Sequence, residues 1–399
     1  MDKKSSNKIT IVVQGVPHPS VGASSVVFYW YIKALKAAGY EILCLIIEKS
    51  ELNPADLTQF SESMGQDETF HAKVLVCANP IVHHAILGPR SVDRELALSV
   101  SEQVNVFAPA AIICFDLLAA WTTMFCKTTK KIVWLGDLNF ETYWHHIFFS
   151  LERRDYRNAL ENFLYFHPWK RCYIKALNGF SKVIVCAKSS VKQMSLLGIQ
   201  SEYLPYPWPA DEQLVRTPDK MPTIAFFGSL AGLGSLSAVR MLTKEIHPKL
   251  IEKYGRNGFR IKLFGYGKFP KFARNIIEKN PEFETLGFVD DIRPILSQCH
   301  ALIAPIEVPI GNRTRIITAL AYELPVIAHA NTSLGNPDLL SGENCFLGTT
   351  ANQLTNYFFE IYANRNLSER LAKNGKELYM SKNNPAVAAK LLIDKLENL

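Results

Sequence analysis

The sequence lacks any Cys-x-x-Cys pair, although it contains eight cysteines. They stand singly, and most lie within apolar runs that have the character of buried strands: Cys44, Cys77, Cys114, Cys126, Cys172, Cys186, Cys299 and Cys345. Isolated cysteines in apolar surroundings form neither the paired ligand sets of zinc sites nor the framework of a disulfide-rich domain. We therefore expect free, buried thiols in a reducing compartment and no metal ligands among them.

The sequence also lacks a recognisable secretion signal and an uncharged membrane span. Residues 1–8 are polar and lead straight into a strand-like run, without the apolar core and small-residue cleavage site of a signal peptide. The longest apolar stretch, 107–126, has about the length of a membrane span, but Asp116 lies in its middle. Because a charge at the bilayer centre is costly, a buried strand followed by a helix explains this stretch better. We expect a cytoplasmic protein.

Strong charge of one sign is missing as well, since the formal net charge is only +7 for 399 residues. The excess is concentrated in residues 127–182, where ten Lys/Arg accompany five Asp/Glu and many aromatic residues. No nucleic-acid recognition motif accompanies this charge, so nucleic acid is not an expected partner. Two interpretations of residues 138–182 remain open: a solvated helical surface with aromatic core contacts, or a surface that rests on anionic lipid or holds an anionic acceptor. The second interpretation would place the protein peripherally on the inner face of the cell membrane.

What the first half does contain is an alternation of short apolar runs and helical segments. The strand candidates are Ile9–Gln14, Ile42–Ile47, Ala72–Cys77, Ala111–Phe115, Lys131–Leu135 and Lys182–Cys186. A loop rich in Gly, Pro and Ser (15–24) follows the first strand and precedes a helix from about 25 to 38. This pattern predicts an α/β domain whose parallel sheet is covered on both faces by helices.

The alternation restarts after a proline-rich segment. Residues 205–222 contain five prolines, which fix φ and lack an N–H donor, so we predict a linker there. Further strand candidates are Thr223–Phe227, Arg260–Phe264, Thr285–Val289, Ala301–Pro305, Pro325–Ala328 and Cys345–Leu347, with a helical tail from about 351. We predict two Rossmann-like, doubly wound domains (1–204 and 223–380) separated by an interdomain cleft, and a final helix (381–399) that is free to cross back to the first domain.

Chemistry-bearing residues follow the strands of the second half. Gly228 and Ser229 come directly after one strand candidate, and Gly265 follows the next. Arg313 and Arg315 stand at the start of a predicted helix, just after Gly311. Guanidinium groups beside a helix N-terminus suit a diphosphate, and ligands of open α/β sheets bind at the carboxyl ends of the strands. The alternatives are glycine turns without a ligand and exposed arginines that only solvate the helix.

In their order, these motifs resemble the donor-binding half of group 1, or family 4, glycosyltransferases. The resemblance rests on the Gly228-Ser229 turn, Gly265-Tyr-Gly267, Gly287-Phe-Val-Asp-Asp291, and the run from Gly311 through Arg313, Arg315 and Ala321 to Pro325-Val-Ile327. It covers residues 222–347 well and the first half more loosely. It implies a GT-B fold, a UDP- or GDP-sugar as donor, retention of the anomeric configuration, no bound cofactor and no required metal ion.

Several donor contacts are implied by the same resemblance. Arg315 occupies the basic position that contacts the diphosphate, and Arg313 is its helper. The backbone at Val289 meets the nucleobase, and Gly22 lets the backbone approach the distal phosphate. The full set of predicted donor residues is Gly22, Gly228, Ser229, Gly265, Val289, Gly311, Arg313, Arg315 and Thr318.

The chain departs from the family pattern at the ribose. Thr318 stands where the family usually has a ribose-binding glutamate, and Ile310 stands at the paired upstream acidic position. Glu307 in the preceding loop is an alternative carboxylate, although a free loop glutamate is the preferred interpretation. The usual glycine before Pro-Val is displaced by Glu323-Leu324. These departures leave the ribose contact open.

For the acceptor side, the first candidate is Asp137, which ends the segment Trp134-Leu-Gly-Asp. Asp116 ends another strand, and His145 and His146 follow on the next predicted helix. Asp137, His145 and Arg315 are thus our catalytic candidates. The alternatives are a helix cap for Asp137 and ordinary surface or core positions for the histidines.

We therefore predict a glycosyltransferase that uses a nucleotide-sugar donor and a glycan, lipid-linked or other hydroxyl acceptor. One alternative is a nucleotide-sugar epimerase on the same fold, which would need more acid and base groups than this chain offers. The other alternative is a weakly active family member that acts as a binding or assembly partner. Thr318 suggests this alternative, because it replaces the usual ribose-binding glutamate.

Overall fold

The computed structural model describes residues 7–65, 67–84, 88–128, 130–210, 214–230 and 232–399. The chain divides into two compact units, Met1–Pro209 with Pro385–Leu399, and Ala210–Asn384. Each unit contains one parallel sheet, as the alternation of strands and helices predicts. The prediction of two Rossmann-like, doubly wound domains is therefore confirmed, while the predicted cleft and the role of 205–222 as a linker stay predictions.

Continuous apolar runs form the central strands of the first unit, because both faces of its sheet are covered there. Ile9 and Ile11–Val13, for example, are at most 1% exposed. The strands are β1 (Lys8–Gln14), β2 (Glu41–Glu48), β3 (Phe70–Val76), β4 (Ile81–His84), β5 (Gly88–Val92), β6 (Ala111–Phe115), β7 (Lys131–Leu135), β8 (Lys182–Val185) and β9 (Glu202–Tyr203). Within the described residues the parallel sheet has the order β3-β2-β1-β6-β7-β8-β9, and β4 and β5 form a separate antiparallel hairpin that the sequence did not predict.

Helices connect the strands of the parallel sheet, because parallel pairing needs a crossover between neighbouring strands. They are α1 (Ala23–Ala37), α2 (Pro54–Ser63), α3 (Arg94–Phe107), α4 (Asp116–Thr122), α5 (Asn139–Glu152), α6 (Tyr156–Leu177) and α7 (Lys188–Ser195). The apolar stretch 107–126 forms β6, α4 and a short 3₁₀ turn (Thr123–Phe125), so the strand–helix interpretation is confirmed. In the part of the chain that the structure describes, none of the helices is long and apolar enough to cross a membrane.

The second unit repeats the architecture with six parallel strands among its described residues. They are β10 (Thr223–Phe227), β11 (Arg260–Phe264), β12 (Phe283–Gly287), β13 (Ala301–Ala304), β14 (Val326–His329) and β15 (Phe346–Gly348), in the order β12-β11-β10-β13-β14-β15. The strand predicted at 285–289 is wrong by two residues. Gly287 has a φ of 68°, and this left-handed conformation ends the strand there, so that Val289 lies beyond the sheet.

The helices of the second unit complete the doubly wound pattern. They are α8 (Leu233–Met241), α9 (His247–Tyr254), α10 (Lys271–Lys279), α11 (Arg293–Gln298), α12 (Thr314–Ala321), α13 (Thr332–Gly335), α14 (Ala351–Ala363) and α15 (Arg365–Lys382), with a π-helical turn at Leu242–Ile246. The predicted single tail from 351 is three helices, because Asn364 and Asn383 interrupt it.

The last helix, α16 (Pro385–Glu397), belongs to the first unit, where it packs against α1. Lys395 Nζ lies 2.5 Å from Glu202 Oε2 at the end of the first sheet. The proline-rich segment begins buried in the same unit, since Tyr206 is 2% exposed and its ring lies 6.1 Å from that of Trp134. The division between the units falls after these buried residues, at 209/210.

Candidate functional site

In the second sheet the strand order reverses between β10 and β13, where doubly wound sheets bind their ligands. The turn after β10 begins at Gly228, which has a φ of 103°. Its N–H donates to Phe264 O at 3.0 Å, and Leu230 N–H donates to Tyr266 O at 2.7 Å. These bonds tie the turn after β10 to the turn after β11 and fix its backbone.

Gly265 allows the two turns to approach this closely. A Cβ atom at position 265 would lie 2.0 Å from Gly228 O, and its φ of 130° is unfavourable for other residues. Its own N–H donates to Gly287 O at 2.7 Å, which joins the end of β12 to the same network. Gly265 therefore supports the turn after β10 by packing against Gly228. A direct contact between Gly265 and a ligand stays a prediction.

The Arg315 side chain reaches from the first turn of α12 to this turn. Its Nη2 donates to Ser229 O at 3.2 Å and to Ser235 Oγ at 2.9 Å. Its guanidinium carbon lies 4.6 Å from the centre of the Phe226 ring. A Cβ atom at Gly228 would be only 3.3 Å from Nη2, so glycine makes room for the guanidinium. The predicted residues Gly228, Ser229 and Arg315 are thus brought together.

One nitrogen of this guanidinium remains available. Arg315 Nη1 is buried and makes no hydrogen bond to any described residue. Burial, and after it the charge of Arg313, lower the pKa of Arg315 to about 9, so the group stays charged at neutral pH. Buried donors are nearly always satisfied in native proteins. A charged donor without a protein acceptor is therefore suited to an anionic ligand oxygen.

Arg313 lies beside the N-terminus of α8, close to Arg315. Its Nη2 donates to Val308 O at 2.8 Å, and its Nη1 lies 3.1 Å from where a Cβ of Gly234 would be. Gly311, with a φ of 71°, packs its carbonyl against Gly335. Two guanidinium groups therefore stand at the start of α8, where the helix dipole adds partial positive charge. This arrangement can hold a diphosphate.

The ribose positions of the family pattern are closed in this chain. Thr318 is 8% exposed, and its Oγ1 donates to Thr314 O at 2.9 Å within α12. Ile310 is 4% exposed. The interpretation of Glu307 as a free loop glutamate is wrong, because its Oε2 accepts from Arg240 Nη2 at 2.9 Å. A partner 67 residues away cannot be read from the local sequence.

Sequence reasoning missed an aromatic pair beside the glycine turns. The Tyr266 and Phe288 rings lie 4.7 Å apart and are 48% and 52% exposed. Tyr266 is part of the turn network, and Phe288 precedes Val289, the predicted nucleobase contact. Exposed aromatic residues at consecutive strand ends, after Gly265 and Gly287, were the signal that could have revealed the pair.

In the first unit, Gly22 is the N-cap residue of α1, with a φ of 79°. The preceding loop is organised by His18, whose Nδ1 accepts from the N–H groups of Ser20 at 3.1 Å and Val21 at 3.0 Å. His18 N–H in turn donates to Ser25 Oγ at 2.8 Å. The loop after β1 is thus fixed by local hydrogen bonds, with Gly22 at its exposed end.

Two carboxylates follow neighbouring strands of the first sheet. Asp116 follows β6 with a φ of 71°, and its Oδ1 accepts from Gly136 N–H at 2.8 Å. Burial raises the pKa of Asp116 to about 6, and the charge of Asp137 adds to this, while the bond from Gly136 opposes it. Asp137 is exposed after β7, one residue before Leu138, the N-cap residue of α5.

Asp137 and His145 line different cavities. Asp137 shares one of about 470 Å³ with Asn139, Tyr143 and His146. His145 lines another of about 430 Å³. The structure therefore places His146 in the cavity of the first acceptor candidate and His145 in the lining of the other.

The second cavity holds a buried carboxyl that sequence reasoning missed. Glu141 is 7% exposed, and its Oε2 accepts from Ser190 Oγ at 3.1 Å. Burial, with a smaller contribution from Asp137, raises the pKa of Glu141 to about 7, although the Ser190 bond opposes the shift. Trp144 and His145 line the same cavity. The group can therefore exchange a proton near neutral pH.

No group of three or more His, Cys, Asp or Glu side chains that could hold a metal ion is found among the described residues. The eight cysteines are free, and all but Cys77 are buried, as their apolar surroundings predict.

Most of the second unit matches a known protein family. Residues 221–364 match the family model described as glycosyl transferases group 1. No curated protein sequence matches the chain significantly. The similarity to group 1 glycosyltransferases therefore lies in residues 221–364.

Solved structures resemble the chain over its whole length at low sequence identity. HepE of Anabaena in complex with UDP-glucose is 14% identical, with 98% of this chain and 100% of that chain covered and a TM-score of 0.66. A TarM mutant of S. aureus in complex with fondaparinux, α-GlcNAc-glycerol and UDP is 10% identical, with 98% and 99% covered and a TM-score of 0.69. Sucrose-phosphate synthase of Thermosynechococcus elongatus is 16% identical, with 98% of both chains covered and a TM-score of 0.62. The chain has the GT-B fold that these proteins share.

Proposed function

We propose that this chain is a glycosyltransferase that transfers a sugar from a nucleoside-diphosphate sugar to a hydroxyl acceptor. The observation that carries the proposal is the Arg315 guanidinium, which is held at the turn after β10 with its buried Nη1 unused. The group 1 domain at 221–364 supports the reaction class. UDP and UDP-glucose, bound by the structural neighbours, support a UDP-sugar as donor, and a GDP-sugar is the alternative.

The chemistry of transfer requires positive charge at the leaving group. As the anomeric bond breaks, charge builds on the diphosphate oxygens and the sugar becomes oxocarbenium-like. Arg313, Arg315 and the N-terminus of α8 are fixed before the reaction and can stabilise this charge without reorganising. We propose that the reaction retains the anomeric configuration without a metal ion, with the leaving phosphate accepting the proton of the acceptor hydroxyl.

The remaining donor contacts are proposed from position. Backbone groups at Val289 meet the nucleobase, with the exposed rings of Tyr266 and Phe288 beside them. Gly22 admits the distal phosphate, and Gly311 shapes the loop before Arg313. The Thr318 hydroxyl donates to Thr314 O within α12, so only its oxygen lone pairs are offered to a ribose hydroxyl.

The acceptor is proposed to meet Asp137, with His146 in the same cavity. A carboxylate that accepts a hydrogen bond from the reacting hydroxyl orients it for transfer. A glycan or a lipid-linked glycan fits this role, and the sugar ligands of the TarM mutant support the former.

A thermal-unfolding screen against UDP, GDP and their sugars tests the donor assignment. A bound ligand raises the free energy of unfolding by RT ln(1 + [L]/Kd), so even weak binding raises the midpoint. Transfer or hydrolysis of the donor that raises the midpoint most is then measured. A protein that none of these nucleotides stabilises would contradict the proposal.

A second candidate function is favoured by one observation. Both acidic positions of the family's ribose motif are closed here, by Ile310 and by a Thr318 whose hydroxyl is engaged. The chain would then bind a nucleotide and serve as a binding or assembly partner. Nucleotide binding without turnover on any sugar donor would favour this function over transfer.

We also propose that residues 138–182 rest on an anionic membrane surface at the cytoplasmic face. The segment is the antiparallel pair α5 and α6, which leaves large apolar side chains about 40–70% exposed: Trp144, Phe148, Leu151, Tyr156, Leu160 and Phe163. Exposed apolar residues interleaved with cations are typical of surfaces that lie in a lipid interface.

A further inference from the structure

A cavity of about 600 Å³ lies between the β4–β5 hairpin and α6, in the first unit. The hairpin packs closely against α6 beside the cavity. Cys172 Sγ donates to Pro89 O at 3.6 Å. Gly88 leaves no space for a side chain, since a Cβ atom there would lie 2.8 Å from the Tyr165 ring. We call this space the hairpin–α6 cavity. Its walls are held in place by the packing of β5 against α6.

The charged residues that line the cavity all carry one sign. They are Arg90 from β5 and Arg171 and Lys175 from α6, joined by His84 and His167. His167, Arg171 and Lys175 are four residues apart, so they follow one face of the helix. None of the described residues that line the cavity is Asp or Glu. The nearby acid on α6, Glu161, is already paired with Arg157 at 3.1 Å.

The rest of the lining is apolar. Phe163, Leu164 and Pro168 contribute to the wall from α6. The same helix leaves Leu160 and Ile174 59% and 47% exposed. A small hydrated anion gains nothing from such a wall, whereas an anion that carries a hydrocarbon chain buries apolar surface against it. Charge and apolar lining together select an amphiphilic anion.

We propose that the hairpin–α6 cavity binds the headgroup phosphate of an anionic phospholipid, with the phosphate at Arg90, Arg171 and Lys175 and the start of the acyl chains against Phe163 and Leu164. This deepens the membrane association proposed above and rests on it. The proposal assigns lipid binding to defined residues, whereas the association proposed above is a general attraction along 138–182. The bilayer is the source of the ligand, because the same helix exposes the apolar side chains of Leu160 and Ile174.

Vesicle flotation of the full-length chain tests the site. Vesicles of phosphatidylcholine, with and without phosphatidylglycerol, are floated with the wild type, Arg171→Gln, Lys175→Gln and Arg157→Gln. Arg157 is the matched control, since it lies on α6 with the same charge but outside the cavity lining. Thermal unfolding checks that each variant is folded. Inorganic phosphate is added in a separate arm as a competitor.

The expected result is flotation only with phosphatidylglycerol, with partitioning lowered about tenfold or more by Arg171→Gln or Lys175→Gln. Arg157→Gln is expected to lower it about fivefold at most, the effect of one general surface charge. Equal losses in all three variants, or no loss in any, would overturn the site. Displacement from vesicles by inorganic phosphate would identify a free anion as the ligand and overturn the lipid assignment.

Donor turnover with a water-soluble acceptor separates this inference from the proposed enzyme activity. Variants of the cavity are expected to keep the wild-type rate in solution. A wild type that turns over its donor but does not float overturns the lipid site and leaves the transferase proposal intact. Flotation that depends on Arg171 in a protein without turnover supports the site and counts against the transferase.

Discussion

Replacing Arg315 by alanine should weaken the binding of a nucleoside diphosphate without unfolding the second unit. The substitution removes the buried Nη1 donor, which makes no hydrogen bond to any described residue. A hydrogen bond to a charged group contributes about 1.5–3 kcal/mol, which corresponds to a rise in Kd of roughly 10- to 150-fold. The turn itself should persist, because Ser235 Oγ also donates to Ser229 O without Arg315.

Isothermal titration with UDP and GDP measures this change directly. Arg315→Lys keeps the charge but loses the planar fork of donors, so its Kd should lie between those of the wild type and Arg315→Ala. Arg365→Ala is the matched control. Arg365 is an exposed arginine of α15, paired with Glu369 at 2.7 Å, and its loss changes the net charge by the same amount.

Two outcomes separate the site from its alternatives. A Kd that Arg315→Ala leaves unchanged would refute the assignment of the diphosphate to this guanidinium. A Kd raised equally by Arg365→Ala would show that only net charge matters. A fall in the thermal midpoint as large as that of a core substitution would indicate that Arg315 acts through folding.

Three further predictions concern single residues. Asp137→Asn should lower turnover at least tenfold while the Kd of the donor stays within about twofold, as expected for a group that orients only the acceptor; steady-state kinetics with a wild-type rate would remove Asp137 from the site. Gly265→Ala should destabilise the second unit by ~3 kcal/mol or more, because its Cβ would overlap Gly228 O, and urea unfolding with an unchanged midpoint would contradict this close approach. Glu141→Gln should become more stable relative to the wild type as pH rises. Burial raises the pKa of Glu141 in the folded protein to about 7, so the folded wild type binds more protons than the unfolded chain. The wild type therefore loses stability as pH rises from the unfolded-state pKa of this carboxyl to pH ~7. Urea unfolding at about pH 5 and pH 8 should show a change of about 2 kcal/mol in the difference between the two proteins, and a difference independent of pH would refute it.

The vesicle experiment described above is independent of these tests. It depends on cations of the first unit, whereas nucleotide binding is assigned to Arg313 and Arg315 of the second.

Local patterns sufficed for most of the fold. Continuous apolar runs predicted β1, β6, β7 and β10 within one residue at each end, because a strand buried on both faces has no polar position. Glycine turns after β10 and β11 were visible for the same local reason, since positive φ favours glycine. The end of β12 was misplaced, because the sequence gives no indication that Gly287, and not Val289, takes the left-handed conformation.

The acceptor side was less predictable than the donor side. Asp137 could be proposed from the sequence because it lies just beyond the end of β7. His146 lines the cavity of Asp137, whereas His145 lines another, since adjacent residues on a helix point in directions about 100° apart. Glu141 was missed altogether, because its burial against Ser190 depends on the packing of α7 against α5.

The sequence alone determined the fold class, the order of the elements and the residue types at the carboxyl ends of the strands, since each follows from periodicity or from a single residue's backbone preference. Only the tertiary structure decided which of these residues meet: Arg315 with Ser229, Glu307 with Arg240, Tyr266 with Phe288, and the cations of α6 with the hairpin. The physical reason is that the three residue pairs are separated by 22 to 86 residues in the chain, and several strands and helices lie between the hairpin and α6. Their contact therefore depends on sheet topology and packing.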